Sequence, residues 1–351
     1  MKELTHNQTR RNQNARTCCI VTTHPFWSER LGSGSLMRAR YDLLCDLFDR
    51  VFVLFITKTP TNCPLPGATM RVANGVTETH LRVYQEFIRK QSISLCFFSY
   101  DVLPEFARQT PCKTAVEIHD VMHLRQKSFH KFGRKPPIHR TKESEIYRLK
   151  NYDVVIGINN NEVTYLNQFD VNAIFIPPNL KFRMAKQTAR DDTLGIIGSS
   201  AQPNIDGLDQ LLKRHIPKNK LVVAGSISSS NLLTKVPENF LLNLGYVNNT
   251  VEFYEKISIA LVPIRFGAGL KIKLLEALSF GCRVIATSHA VDGFPEGIEK
   301  CVTVDDDPQS WLAMDKKTTC STPREEIARY FQANFSLELV KRKLSDALEI
   351  P

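Results

Sequence analysis

Residues 258–287 have the sequence SIALVPIRFGAGLKIKLLEALSFGCRVIAT, and this stretch decides the fold. SIALVPI (258–264) is a short apolar run rich in branched residues, which predicts a strand buried on both faces. From about Lys271 the apolar residues recur with helical spacing, and Gly281 is a natural helix terminator. RVIAT (283–287) predicts the next strand. The stretch therefore predicts a right-handed βαβ unit, in which ligands bind outside the carboxyl ends of the strands.

The glycine loop, residues 265–271, joins the first strand to the helix and favours an anionic ligand. Gly267 and Gly269 let its backbone turn tightly and approach a ligand where a side chain would collide. Free N–H groups at the start of the helix attract anions. A diphosphate would therefore meet backbone donors together with three cations. These cations are Arg265, Lys271 and Lys273.

Glu276 lies one helical turn beyond Lys273, where its carboxylate would accept hydrogen bonds from a ribose diol. A second interpretation is that the lysines are solvated residues at the helix start and that Glu276 pairs with one of them. Lys–Glu pairs three residues apart are common on helices. Taken residue by residue, both interpretations stay open.

The string P-x-R-x-G-x-G-x-K-x-K-L-L-E-A-L-x-x-G-x-x-V-I-A-T, residues 263–287, resembles the donor-site signature of retaining GT-B glycosyltransferases, especially glycosyltransferase family 4. The resemblance implies that Glu276 binds the donor ribose and that the basic residues around the glycine loop neutralise the diphosphate. One position departs from the pattern. Many members of that family carry a second glutamate eight residues earlier, and this position is Ala268 here.

The first half of the chain also alternates strands and helices, which is typical of a doubly wound domain. Helices are predicted near 76–91 and 143–151. The predicted strands are 17–26, 50–56, 93–99, 114–120 and 153–159.

Two glycines follow the first strand. The resemblance places Gly32 among the donor-binding residues and Gly34 among the catalytic ones, close to the donor diphosphate across the cleft. As a dinucleotide fingerprint the segment fails, because the third glycine of G-x-G-x-x-G is Met37 here.

His119 ends the apolar strand AVEIHDV, and relatives have His there, near the hydroxyls of the donor sugar. The resemblance therefore implies a catalytic role for His119, although a structurally satisfied histidine at a strand end is the alternative. Asp120 would orient that imidazole or cap the following turn.

The second half repeats the alternation, with strands predicted at 193–199, 220–226 and 241–247. Asn204, in the segment IIGSSAQPN, occupies the region where other relatives place basic residues that clamp phosphate. We therefore count Asn204 among the donor-binding residues, and we expect Arg265, Lys271 and Lys273 to neutralise the charge.

Length and composition agree with two domains. A chain of 351 residues with 42% hydrophobic residues exceeds the size at which single cores split. The resemblance implies a GT-B fold, in which two Rossmann-like α/β domains face across a cleft. The predicted segments are a disordered basic tail (1–16), an acceptor-side domain (17–180), a linker (181–192), a donor domain (193–330) and a helix that packs back on the first domain (331–351).

The sequence predicts a glycosyltransferase that moves a sugar from a UDP- or GDP-sugar to an acceptor, with retention implied by the resemblance. The resemblance implies that no cofactor or metal is needed, because in that family protein cations and helix termini stabilise the leaving diphosphate. Asp305–Asp307 is interpreted as a solvated turn. The sequence shows no paired carboxylates placed for double displacement. The alternatives are a GT-B sugar-nucleotide epimerase and a non-catalytic nucleotide-sugar-binding subunit, and Ala268 favours the latter.

The net charge of +10 restricts the partners. Nucleic acid is not expected, since the basic residues are spread along the chain without a stripe of exposed aromatics. The segment 130–142, HKFGRKPPIHRTK, is interpreted as a solvated loop or as a contact with an anionic membrane surface. No apolar run reaches the ~20 residues that span a bilayer. We expect a cytoplasmic enzyme, peripheral at the inner membrane face, whose acceptor is a glycan or a lipid-linked glycan.

Overall fold

The chain folds into two α/β domains, each built on one parallel β-sheet with flanking helices. This computed structural model describes residues 15–28, 33–59, 61–72, 75–101, 103–186, 193–217, 219–313 and 322–350. The predicted fold class is confirmed. Gly32 and nearly all of the predicted basic tail lie outside the described residues.

Seven strands form the first sheet in the described part of the chain. They are β1 (Thr17–Thr22), β2 (Arg50–Thr57), β3 (Gly67–Arg71), β4 (Leu95–Ser99), β5 (Lys113–Ile118), β6 (Val154–Gly157) and β7 (Ala173–Phe175). They pair in parallel in the order β3-β2-β1-β4-β5-β6-β7. Every residue of β1 is buried, as expected of a central strand covered on both faces. The edge strands β3 and β7 escape the sequence analysis because they are short and only partly buried.

Helices cover both faces of this sheet. They are α1 (Ser33–Leu47), α2 (Glu78–Lys90), α3 (Pro104–Arg108), α4 (Met122–Lys131), α5 (Lys142–Leu149) and α6 (Asn160–Asn167). Hydroxyl or amide side chains cap several of them: Thr77 begins α2, Thr141 begins α5 and Asn159 begins α6. None of the helices in the described ranges is long and apolar enough to cross a bilayer.

The second sheet contains the predicted βαβ unit. Its strands are β8 (Leu194–Ile197), β9 (Leu221–Ala224), β10 (Leu241–Gly245), β11 (Ile259–Val262), β12 (Arg283–Ala286) and β13 (Thr303–Val304), in the order β10-β9-β8-β11-β12-β13. Its helices are α7 (Gln202–Leu211), α8 (Val251–Tyr254), α9 (Ile272–Ser279) and α10 (Ser288–Val291). β11 pairs with β12 in parallel, and α9 connects them. Gly281 ends α9 with a φ of 64°, as the sequence predicts.

The segment predicted as the interdomain linker is attached to the second domain. The backbone N–H of Arg183 donates to the carbonyl of Ser279, and that of Ala185 donates to the carbonyl of Phe280. Ala185 is buried in the core of the second domain. Residues 187–192 of the predicted linker lie outside the described residues.

The chain ends in two helices that belong to different domains, α11 (Arg324–Phe335) and α12 (Leu337–Leu348). Phe331 and Phe335 of α11 are buried in the core of the second domain. Val340 and Leu344 of α12 are buried in the core of the first domain. The helix that crosses back therefore begins at Leu337, whereas the sequence analysis placed the crossing segment from 331. Ser336 separates the two helices and caps α12 by accepting from Leu339 N.

Candidate functional site

A cavity of about 270 Å³ lies at the carboxyl ends of β8 and β9, beside the first turns of α9. Gly225 lets the two strand ends approach each other, because a Cβ there would lie 2.3 Å from the carbonyl oxygen of Gly198. We call this space the first cavity. It is lined by Ile197, Gly198, Ser199, Gly225, Ser226, Tyr246, Thr250, Ile272, Lys273 and Glu276.

Glu276 projects from α9 into the first cavity. Burial raises the pKa of its carboxyl to about 7, and the neighbouring Lys273 opposes this shift. Within the described residues, no ion pair joins Glu276 to either lysine. Glu276 therefore does not form the Lys–Glu pair that the sequence analysis left open, and its carboxyl group faces the first cavity.

Lys273 stands between the first cavity and a second one. Its Nζ donates to Oδ1 of Asn204. Asn204 is fixed in turn, because its Nδ2 donates to the carbonyl of Ser199 (2.9 Å) and to its Oγ (3.0 Å). Burial lowers the pKa of Lys273 to about 8, and Glu276 opposes this shift. Asn204 thus acts through Lys273, whose ammonium it orients.

The second cavity, of about 340 Å³, lies between the two domains. It shares Ser199, Ile272 and Lys273 with the first cavity, so the two cavities adjoin at the start of α9. Its other lining residues are Asp120, Arg125 and Phe129 of the first domain and Pro203, Asn204, Ile264, Phe266, Gly267, Ala268, Leu270 and Lys271 of the second.

The glycine loop makes its backbone contacts with the first domain. Gly267 N donates to Oγ of Ser128 on α4 at 2.9 Å, and Gly269 N donates to Oε1 of Glu162 on α6 at 2.6 Å. Gly269 has a φ of 68°, and a Cβ there would lie 2.2 Å from the carbonyl oxygen of His119. Only glycine fits this position, because backbone conformation and space both exclude a side chain.

Lys271 lies at the N-terminal boundary of α9 and is buried. Its Nζ donates to the carbonyl of Gly269 at 2.8 Å and to that of Ala268 at 3.4 Å. Burial lowers the pKa of Lys271, while the nearby Glu162 opposes the shift. The ammonium thus stabilises the conformation of the glycine loop, and the side chain also lines the second cavity.

Arg265 is not brought to this pair of cavities. Its guanidinium makes a bidentate pair with Asp206 of α7, with Nε at 2.9 Å from Oδ2 and Nη2 at 3.1 Å from Oδ1. It also lies over the ring of Phe132 at 5.2 Å and lines a third cavity, of about 600 Å³. The expectation that Arg265 acts beside Lys271 and Lys273 therefore does not match its placement. The sequence pattern around Arg265 gives no sign of this pairing, because Asp206 lies 59 residues earlier in the chain.

His119 follows β5 and faces the glycine loop across the cleft. Its Nδ1 lies 2.6 Å from the hydroxyl of Tyr100, and its Nε2 lies 3.7 Å from Oε1 of Glu117. Burial would raise the pKa of Glu117, but Arg40 and the His119 ring hold it at about 2. Asp120 does not orient this imidazole, since it pairs with Arg125 at 2.8 Å.

Gly34 lies in the first turn of α1 and is buried, so the structure shows its position but no contact with the two cavities. Asp306 accepts hydrogen bonds from N and Oγ of Ser288, at 2.8 and 2.9 Å. Among the residues that the structure describes, no group of three or more His, Cys, Asp or Glu is arranged to hold a metal ion.

Residues 191–314 match the family model described as Glycosyl transferases group 1. This range includes all the residues by which the second domain lines the first and second cavities. This match falls in the second domain, which we call the group 1 domain. No curated protein matches the chain by sequence.

Solved structures share the fold of the whole chain. Sucrose-phosphate synthase from Thermosynechococcus elongatus is 12% identical, with a TM-score of 0.74 over 95% of this chain and 98% of its own. A glycosyltransferase from Rickettsia africae is 14% identical, with a TM-score of 0.67 over 96% and 99%. The HepE protein of Anabaena in complex with UDP is 11% identical, with a TM-score of 0.68 over 95% and 99%. These likenesses show the GT-B fold. Together with the group 1 domain they support a glycosyltransferase, EC 2.4 class.

Several residues of the site carry no signal that sequence analysis uses. Glu162 lies on α6 and reaches the group 1 domain, yet in the sequence it is an ordinary helical glutamate two residues after Asn160. Tyr246 and Thr250 line the first cavity from the loop after β10. Only the strand ending at Gly245 hints at this position, because ligands bind beyond the carboxyl ends of parallel strands.

Proposed function

We propose that this protein transfers a sugar from a nucleotide-sugar to a glycan or lipid-linked glycan, retaining the anomeric configuration and needing no metal. One observation carries the proposal: Glu276 and Lys273 of α9 line a cavity at the strand ends and Lys273 also lines the second cavity between the domains. A nucleotide-sugar matches this arrangement, since its ribose would meet Glu276, its diphosphate would meet Lys273 and its sugar would reach the second cavity.

The nucleoside half of the donor fits the first cavity. Its walls include the ring of Tyr246 and the apolar side chains of Ile197 and Ile272, against which a base packs. The carboxyl of Glu276 is the hydrogen-bond acceptor for the ribose diol. The HepE structure, of the same fold, contains UDP, and we therefore propose UDP-sugars as the first donors to test, with GDP-sugars second.

The diphosphate fits the junction of the two cavities. No side chain caps the N-terminus of α9 in the described structure, so its first N–H groups are available to an anion. Lys273 adds a half-buried ammonium at the same place. The interaction of a fixed cation with the leaving diphosphate becomes stronger as negative charge develops there. In metal-dependent enzymes a metal ion stabilises this charge.

The sugar fits the second cavity, against the first domain. Asp120 and Arg125 line it from that side, while Gly267, Ala268 and Lys271 line it from the group 1 domain. The acceptor would then enter from the cleft. Retention is supported by the resemblance of the donor-site string, and Ala268 leaves no carboxylate at the position where many family members carry one.

A peripheral membrane contact is supported by the segment between α4 and α5. Lys135, Ile138 and His139 are exposed there, and Ile138 is an exposed large apolar side chain. Cations beside an apolar residue suit an anionic surface. We propose a cytoplasmic enzyme that meets lipid-linked acceptors this way. Sedimentation with anionic vesicles, and no sedimentation with neutral ones, is the expected result.

The test of the transferase proposal is nucleoside diphosphate release from a panel of UDP- and GDP-sugars, with and without glycan acceptors and with and without EDTA. Acceptor-dependent release that EDTA leaves unchanged supports the proposal. Conversion of the donor to an isomer without release would show an epimerase. Binding of a donor without either reaction would show a non-catalytic subunit.

A further inference from the structure

Glu162 of the first domain holds two loops of the site with one buried carboxylate. Its Oε1 accepts from Gly269 N at 2.6 Å, and its Oε2 accepts from Val121 N at 2.8 Å. Gly269 belongs to the group 1 domain, and Val121 directly follows His119 and Asp120 of the first domain. One carboxylate thus bridges the two sides of the cleft.

The Gly269 peptide is held from both sides. Glu162 accepts its N–H, and the Nζ of Lys271 donates to its carbonyl at 2.8 Å. The loop leads directly into α9, whose next residues include Lys273 and Glu276. A shift of the glycine loop relative to the first domain would therefore move the donor-binding helix relative to His119 and Asp120.

Other contacts dock the two domains without Glu162. Phe266 of the glycine loop is fully buried and packs against Phe129 and Phe132 of α4, with both ring centroids at 5.0 Å. Asn161 Nδ2 donates to Oδ1 of Asp292 at 2.7 Å. Glu162 is therefore not required for the domains to meet. Its two hydrogen bonds fix the relative position of the two loops within an interface that these other contacts already form.

We propose that Glu162 is a positioning residue for sugar transfer, which fixes the glycine loop of the group 1 domain against the loop that carries His119 and Asp120. This inference rests on the proposed function, because the step that it positions is the transfer from the donor. Neither hydrogen bond involves a residue that lines the first cavity. Loss of Glu162 should thus slow transfer while leaving nucleotide binding intact.

Two variants test the role. Glu162→Gln keeps the shape but presents an NH₂ group to one of the two N–H donors, so one hydrogen bond is lost and two donors face each other. Glu162→Asp keeps a carboxyl group on α6 but is one methylene too short to reach both donors. Asn161→Ala is the matched control, because it removes a contact between the same helix and the same domain without touching the glycine loop.

Both Glu162 variants should lower kcat at saturating donor by about tenfold to 10²-fold, since a misplacement of ~1 Å costs on the order of 10²-fold. Their Kd for the nucleoside diphosphate and their Tm should stay close to wild type, within about twofold for the Kd. Asn161→Ala should match wild type in kcat. Wild-type kcat in either Glu162 variant would overturn the proposal, as would a parallel loss of nucleotide affinity, Tm and activity.

Hydrogen exchange gives a readout that does not need activity. The amide of Gly269 or that of Val121 should exchange faster in Glu162→Gln than in the wild type or Asn161→Ala, because one of the two loses its acceptor. Unchanged exchange at both amides would contradict the role of Glu162. If wild-type protein releases no nucleoside diphosphate from any donor, the proposed function fails, and this exchange measurement then decides the inference about Glu162 separately.

Discussion

Replacing Lys273 by methionine is the sharpest test of where the diphosphate binds. The ammonium is half-buried between the two cavities, and its pKa of about 8 leaves it mainly charged at pH 7. Methionine fills a similar volume without charge. A hydrogen bond to a charged group contributes about 1.5–3 kcal/mol. Since about 1.4 kcal/mol is a tenfold change in Kd, the variant should bind the nucleoside diphosphate about 10- to 150-fold more weakly.

The assay is titration calorimetry with a nucleoside diphosphate and with the matching nucleoside. The nucleoside has no phosphate, so its Kd should change by less than about threefold, which is under 1 kcal/mol. Arg265→Met is the matched control, because it removes another cation of the same sequence pattern that is paired with Asp206 and lines a different cavity. Equal losses for both ligands in Lys273→Met would refute the reasoning, since they would show a structural role for the side chain.

Three further changes have defined outcomes. Burial lowers the pKa of Lys273 to about 8, and the diphosphate favours the charged form. Affinity for the nucleoside diphosphate should therefore fall as pH rises above 8, by up to about tenfold per unit. Titrations from pH 8 to 10, above the pKa of about 7 of Glu276, should show this fall in the wild type and a much shallower profile in Lys273→Met. Glu276→Ala should weaken the nucleoside and the nucleoside diphosphate by the same factor, about tenfold or more, and unchanged nucleoside affinity in calorimetry would contradict the ribose role. Leu344→Ala in α12 should destabilise the first domain by about 2–5 kcal/mol, because a fully buried leucine is truncated; denaturant unfolding measures this, and a loss below about 1 kcal/mol would contradict the packing.

The sequence predicts the central unit of the group 1 domain well. The branched apolar run gives β11, and the helical spacing after Lys271 gives α9, which begins at Ile272. These features are local, because periodicity and glycine placement depend only on neighbouring residues. The short edge strands β3 and β7 leave no such pattern, since three to five partly exposed residues carry too little periodicity.

The candidate site is only partly predictable for a different reason. The sequence groups Arg265 with Lys271 and Lys273, but the structure gives Arg265 a carboxylate partner on α7, 59 residues earlier in the chain. Glu162 reaches Gly269 over 107 residues. Both pairings depend on how helices from separate segments meet, and a single sequence carries no signal for such contacts.

The break at Ser336 has a consequence for how the two halves of the molecule move. The chain passes from the first domain to the second after β7, and it returns between α11 and α12, where the last helix joins the core of the first domain. Because the chain crosses between the domains twice, any opening of the cleft requires backbone changes at both crossings, and neither domain can turn independently of the other. A chain truncated after Ser336 should therefore lose this restriction and, at the same time, the buried side chains that α12 contributes to the first domain.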